Sequence, residues 1–167
     1  LGEGETSDAH YFQTIIDGSK TYRISGQRGE APYIEFTVYA GKIGLDSTSV
    51  QVGAITEVDL KVKPDGSYEL MLSPEPQPGN WIRTTPEASV VFIRQYAHDW
   101  SKTRDATFNI ERIGTTGDRP PLTLAEVSRA MQRTSAYVAR SVNIWKAIVD
   151  QRRAAQPKRF FVFEQEQ

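Results

Sequence analysis

Apolar and polar residues alternate with a period of two in short runs from His10 to Ile113, and from Leu122 onward the apolar spacing lengthens to three and four. Period two belongs to strands with one face buried, and the longer spacing to a helix. The strand-like runs are rich in Tyr, Phe, Val, Ile and Thr and are punctuated by Gly, Pro and Asp. They predict about eight or nine strands, enough for two packed sheets. Between Tyr33 and Tyr39, the residues Ile34, Phe36 and Val38 share one face, and Tyr33, Glu35, Thr37 and Tyr39 share the other. Tyr68, Leu70 and Leu72 repeat this pattern, as do Phe108 and Ile110, while Ala88 to Tyr96 is apolar on both faces until Arg94, as in a central strand. Two hairpins are expected. One joins Tyr11–Ile16 to Lys20–Ser25 through Asp17-Gly18, and the other joins Leu60–Lys63 to Ser67–Leu72 through Pro64-Asp65-Gly66.

The helix has a marked start. Thr123 is placed as N-cap with Glu126 as its capping-box partner, and Leu122 and Val127 are spaced for a hydrophobic staple. At 100° per residue, Leu124, Val127, Met131, Val138, Val142, Trp145, Ile148 and Val149 form an apolar stripe opposite Arg129, Arg133 and Arg140. Tyr137 and Ile144 lie off the stripe, so the helix is expected to touch a second body as well as its own sheet. Beyond Pro157, three of the four residues Phe160 to Phe163 are aromatic. An exposed strip of this kind invites aggregation, so docking on the chain's own body or on a partner is expected. The expected organisation is a single domain, with a sandwich body at 1–119 and the helix and aromatic tail at 120–167 packed on it. Helix 124–155 and tail 160–163 are then the expected contacts of a homo-oligomer.

Composition narrows the function classes. The chain has 167 residues and a formal charge of −1, which argues against a general nucleic-acid binder. Residues 1–120 carry 12 basic and 17 acidic groups and residues 121–159 carry 8 and 2, so an acidic body meets a basic helix. No apolar run is long enough for a membrane span, and the polar opening after Leu1 reads as a cut or processed start. With no cysteine, thiolate chemistry and cysteine-ligated metal are excluded, while the compartment stays open between cytoplasm and periplasm, with the cytoplasm favoured.

P-loop, GxGxxG, HExxH, GxSxG and EF-hand patterns are missing, and no cofactor or metal is expected. His10 and His98 are the only histidines. His98 beside Asp99 could serve one catalytic hydrogen bond only if both sit in a turn. The densest cluster is Arg94 to Trp100. Arg94 between Phe92 and Tyr96 could grip a carboxylate, sulfate or phosphate, or could pair with an internal acid such as Glu69 or Glu111. Glu35, Asp59, Glu69, Asp99 and Glu111 could supply a glycosidase-type pair, but sequence does not pair them. Tyr11, Tyr22, Tyr33, Tyr39, Trp81 and Trp100 are candidates for stacking on a sugar ring, and most are expected to be structural.

The order of short motifs carries a resemblance. Thr21-Tyr22-Arg23-Ile24-Ser25-Gly26, Tyr33 to Tyr39, Pro64 to Leu70 followed by Gly79-Asn80-Trp81, Val91 to Tyr96 with Asp99-Trp100, and Ile110-Glu111-Arg112 resemble the bacterial domain-of-unknown-function 1214 family. The resemblance implies a jelly-roll β-sandwich forming the C-terminal part of a longer protein, and it implies no activity. A partner N-terminal domain is therefore expected to be absent from this chain. Tyr22, Trp81, Arg94, Tyr96 and Asp99 fall on motif positions of unknown role. The first expectation is a ligand-binding and assembly module for a small anionic or carbohydrate-like ligand, with Arg94, Tyr96, Trp81, Trp100 and Tyr22 as binding residues. The alternative is a hydrolase or lyase on a carbohydrate or small carboxylate, in which Arg94 orients substrate, His98 or Tyr96 exchanges protons and Asp99 orients His98.

Overall fold

The computed structural model describes residues 7–41, 49–115 and 121–155. The chain divides into two compact units, one spanning 3–119 and the other 120–167, and each is described by itself. The first unit holds β1 (Ala9–Ile15), β2 (Tyr22–Gln27), β3 (Tyr33–Ala40), β4 (Val50–Thr56), β5 (Ser67–Ser73), β6 (Asn80–Arg83), β7 (Ala88–Tyr96) and β8 (Asn109–Arg112). They form two four-stranded sheets, ordered β1-β7-β3-β4 and β6-β5-β2-β8. The mainly β sandwich is as the periodicity predicts. One pairing departs from the antiparallel expectation: β5 and β6 run parallel.

The core is the set of inward positions the alternation marks. Ile34, Phe36 and Val38 of β3 and Val91 of β7 are fully buried in the same cluster as Ile24, Tyr68, Leu70 and Leu72 of the second sheet. Phe36 and Tyr68 meet at 5.6 Å between ring centroids.

The first expected hairpin does not form, and of the second only the turn does, with the Lys63 N–H donating to the Ser67 carbonyl at 2.8 Å and the Gly66 N–H to the Lys63 carbonyl at 2.9 Å. β1 pairs with β7 and β2 with β5 and β8, so Asp17-Gly18 carries the chain from one sheet to the other. Gly18 is tucked against the segment before β7. Its amide donates to the Ala88 carbonyl, Thr84 Oγ1 donates to its carbonyl, and a Cβ there would lie 2.0 Å from the Thr85 oxygen. Leu60–Lys63 is not a strand, because a side chain occupies its backbone. The Asn80 amide accepts from the Lys61 N–H and donates to both the Lys61 and Glu69 carbonyls, each at 2.8 Å. Gly66 does adopt the positive φ expected of it, at 81°.

The two edges of the sandwich differ. Where β4 meets β6, Gly53 allows close approach, since a Cβ there would lie 2.9 Å from Ile82 Cγ2. On the other side, the Phe12 and Phe108 rings touch at 5.0 Å between centroids and leave a cleft beside them.

The second unit is the helix α1 (Leu124–Ala155). Its capping box is as expected: the Thr123 N–H donates to Glu126 Oε2 at 2.7 Å, and the Glu126 N–H donates to Thr123 Oγ1 at 3.3 Å. The apolar stripe is exposed at Leu124, Met131, Val138 and Val142. Lys146 and Asp150 pair one turn apart. The aromatic tail at 160–163 lies outside the described residues.

Candidate functional site

Sheet register explains what became of Arg94. Glu35 on β3 lies directly opposite Arg94 on β7, and both point to the outer face. Arg94 Nη1 donates to Glu35 Oε2 at 2.7 Å and Nη2 to the Tyr39 hydroxyl at 3.0 Å, while the Tyr33 hydroxyl donates to the same carboxylate oxygen at 3.1 Å. The internal acid is therefore Glu35. Glu69 and Glu111 belong to the other sheet, where Glu111 binds Arg23 at 2.5 Å. Burial disfavours the Arg94 charge, but Tyr39 and Glu35 outweigh it and leave the guanidinium pKa raised. Burial first, and then the Glu35 charge, pushes Tyr33 up to about 12.

The tyrosines around this pair pack on one another. Tyr33 and Tyr11 both contact Tyr96 with rings at 66° and 85°, and the Tyr11 and Tyr96 hydroxyls are 3.1 Å apart. The guanidinium lies 5.1 Å from the Phe92 centroid. Steeply tilted rings do not make the flat platform on which a sugar stacks. On the outer face Arg94, Glu35, Tyr33 and Tyr39 satisfy one another.

The remaining sequence candidates are dispersed. Tyr22 is on β2, packed against the core, and its hydroxyl accepts from the Asp17 N–H at 3.0 Å. Trp81 lies on β6, where its indole N–H donates to Ser73. His98 is exposed in the loop after β7. Asp99 does not orient it. Its carboxylate accepts from the Ser101 N–H and hydroxyl and pairs with Lys102 at 2.7 Å. Lys102 first, and then Ser101, holds the Asp99 pKa below the ordinary carboxylate value. The proposed His98–Asp99 relay is thus replaced by an Asp-initiated turn. Of the five binding candidates, only Arg94 and Tyr96 share a surface.

The histidine with an acid partner is the other one. His10 Nδ1 lies 3.0 Å from Asp105 Oδ1, and its ring stacks on Trp100 at 3.9 Å and 12°. No sequence signal links His10 to Asp105 across 95 positions. A hint exists only afterwards: His10, Phe12 and Thr14 share the inward parity of an edge strand.

That strand borders the cleft. Phe12 and Thr14 of β1, Val91 and Ile93 of β7, Ile24 of β2, Ile110 of β8 and the segment Ala106 to Phe108 enclose about 380 Å³ between the sheets. The volume is at the small end of ordinary ligand pockets, and most of the wall is apolar. Gln95, fully buried and opposite His10 in register, accepts the Ala106 N–H at 2.9 Å and so ties this segment to β7. Among the described residues no three His, Asp or Glu side chains are grouped for a metal ion. Nor is any helix among them long and apolar enough to cross a membrane.

Comparison with known proteins agrees with the fold. The family described as protein of unknown function (DUF1214) matches residues 7–99. The crystal structure of an uncharacterised protein from Burkholderia cenocepacia is similar over 82% of this chain, with 30% identity and a TM-score of 0.76. This chain spans 38% of that protein's length. The VPA0106 protein from Vibrio parahaemolyticus is more distant, at 16% identity and a TM-score of 0.48 over 64% of this chain and 31% of its own. No curated protein matches the chain.

Proposed function

The chain belongs to the DUF1214 family, and from that premise we propose that its sandwich is a binding module for a small, largely apolar ligand held between the sheets. The observation that supports this reading is the cleft of about 380 Å³ between the β1 and β8 edges, walled by Phe12, Ile24, Val91, Ile93, Phe108 and Ile110. A ligand of matching shape in this half-open cleft takes the apolar lining out of water and gains dispersion contacts with it. The outer face is the weaker candidate for an anion or a sugar, because Glu35 already neutralises Arg94 and the tyrosine rings tilt against one another.

Propylbenzene, followed by calorimetry, tests the cleft. Binding is expected for the native protein and its loss for Thr14→Leu, which fills the cleft from a half-buried position without breaking a hydrogen bond among the described residues. Absence of binding to the native protein, or unchanged binding to the variant, overturns the reading.

Assembly is the second part of the proposal. The exposed stripe of α1, with Leu124 85% and Met131 69% accessible, supports pairing with a second copy of the helix. Sedimentation is expected to show an oligomer that Val142→Glu dissociates. A native protein that sediments as a monomer overturns it.

A further inference from the structure

We infer that the ligand of the cleft ends in a hydroxyl group, which donates its proton to Nε2 of His10. The inference rests on the cleft reading and names the chemistry of its ligand. β1 presents His10, Phe12 and Thr14 to the same side, and Phe12 and Thr14 line the cleft, so the imidazole follows next along the strand, beside the lining and not part of it. Asp105 approaches from the opposite wall, immediately before Ala106 of the lining.

Three features prepare the imidazole. Asp105 accepts from Nδ1 at 3.0 Å, which fixes the proton there and leaves the Nε2 lone pair free to accept. Trp100 stacks on the ring and holds its plane. The Gln95 side chain holds the Ala106 backbone, and with it the position of Asp105. Nε2 has no hydrogen-bond partner among the described residues, and the His10 side chain is 40% accessible.

Charge selects the ligand head. Asp105 repels a carboxylate or phosphate at this point, and the adjacent Arg104 is paired with Glu30 at 3.2 Å. Asp105 is already engaged by His10 Nδ1, and an ammonium would have to shed its water beside an apolar wall, which is costly. A neutral hydroxyl meets neither obstacle.

The test compares 4-propylphenol with 4-propylanisole, in which a methyl group caps the same oxygen, by calorimetry on the intact chain. The phenol is expected to bind about tenfold more tightly, the worth of one hydrogen bond. His10→Ala, checked by thermal melting, is expected to remove that preference. Ring ¹⁵N spectra supply a second readout, since His10 and His98 are the only histidines. The phenol is expected to shift Nε2 of His10 and leave His98 in place. Equal affinities for the two probes, or a preference that survives His10→Ala, overturns the hydroxyl assignment alone. Failure of both probes and of propylbenzene overturns the cleft reading beneath it.

Discussion

At the β4/β6 edge the two sheets close on each other because Gly53 offers no side chain to Ile82, whereas at the β1/β8 edge Phe12 and Phe108 meet and leave a hollow behind them. Both edges are built from the same alternation of apolar and polar residues. What separates them is the size of the side chain at the point of contact: a missing Cβ lets backbones approach, and two rings hold them apart. A sandwich can therefore be dry and filled on one side and ligand-sized on the other without any change of topology.

The largest effect expected is at the open edge. A Cβ on Gly26 would lie 1.9 Å from the Thr107 carbonyl oxygen, so Gly26→Ala must move the backbone that carries Asp105 to Phe108. A loss of about 3 kcal/mol or more in urea unfolding is expected, together with loss of probe binding. Phe108→Ala comes next. Its ring is partly buried against Phe12 and Phe36, and truncation is expected to cost about 2 to 3 kcal/mol while enlarging the cleft enough to admit bulkier probes in calorimetry. Gly53→Ala, the matching change at the closed edge, meets the branch methyl Cγ2 of Ile82 at 2.9 Å, with the nearest backbone atom, the Arg83 oxygen, at an ordinary 3.9 Å. About 1 kcal/mol is expected, with probe binding intact. If Gly53→Ala proves as damaging as Gly26→Ala, the contrast between the edges fails.

The smallest effect concerns turns outside both edges. Ser19 holds the Asp17 pKa below its ordinary value, Ser67 does the same for Asp65, and Lys102 with Ser101 does so for Asp99. A carboxylate whose folded pKa is depressed contributes its full stability above the ordinary aspartate pKa and loses it as pH falls through the folded value. Carboxyl NMR titration is expected to place all three below a typical aspartate. Melting temperature is expected to stay level down to about pH 4 and to decline below it.

The faces of the strands were legible in the sequence, and their neighbours were not. Alternation identified Ile34, Phe36 and Val38, and Tyr68, Leu70 and Leu72, as inward, and all six are buried. The capping box of Thr123 and Glu126 was equally readable, because it is local. Pairing is long-range, and period two carries no information about it. Asp17-Gly18 has hairpin chemistry yet crosses between sheets, and Leu60–Lys63 has strand-like spacing yet is satisfied by the Asn80 amide. For the same reason Arg94 could be suspected of having an acid partner but not assigned Glu35. The conspicuous His98-Asp99 neighbours drew attention from His10 and Asp105, whose partnership exists only once β1 lies beside β7.

That last pairing bears on the order in which the molecule is made. β1 is synthesised before the other strands of this sandwich, and among the described residues its hydrogen-bonded neighbour is β7, with Tyr11 opposite Arg94 and Phe12 opposite Ile93. The opposite wall, Ala106 to Ile110, is synthesised later still. Contacts between such distant segments form slowly, because loop closure must precede the gain from pairing. The cleft is therefore the last part of the sandwich to exist during synthesis, and any molecule that binds it only when closed would favour the closing step by mass action.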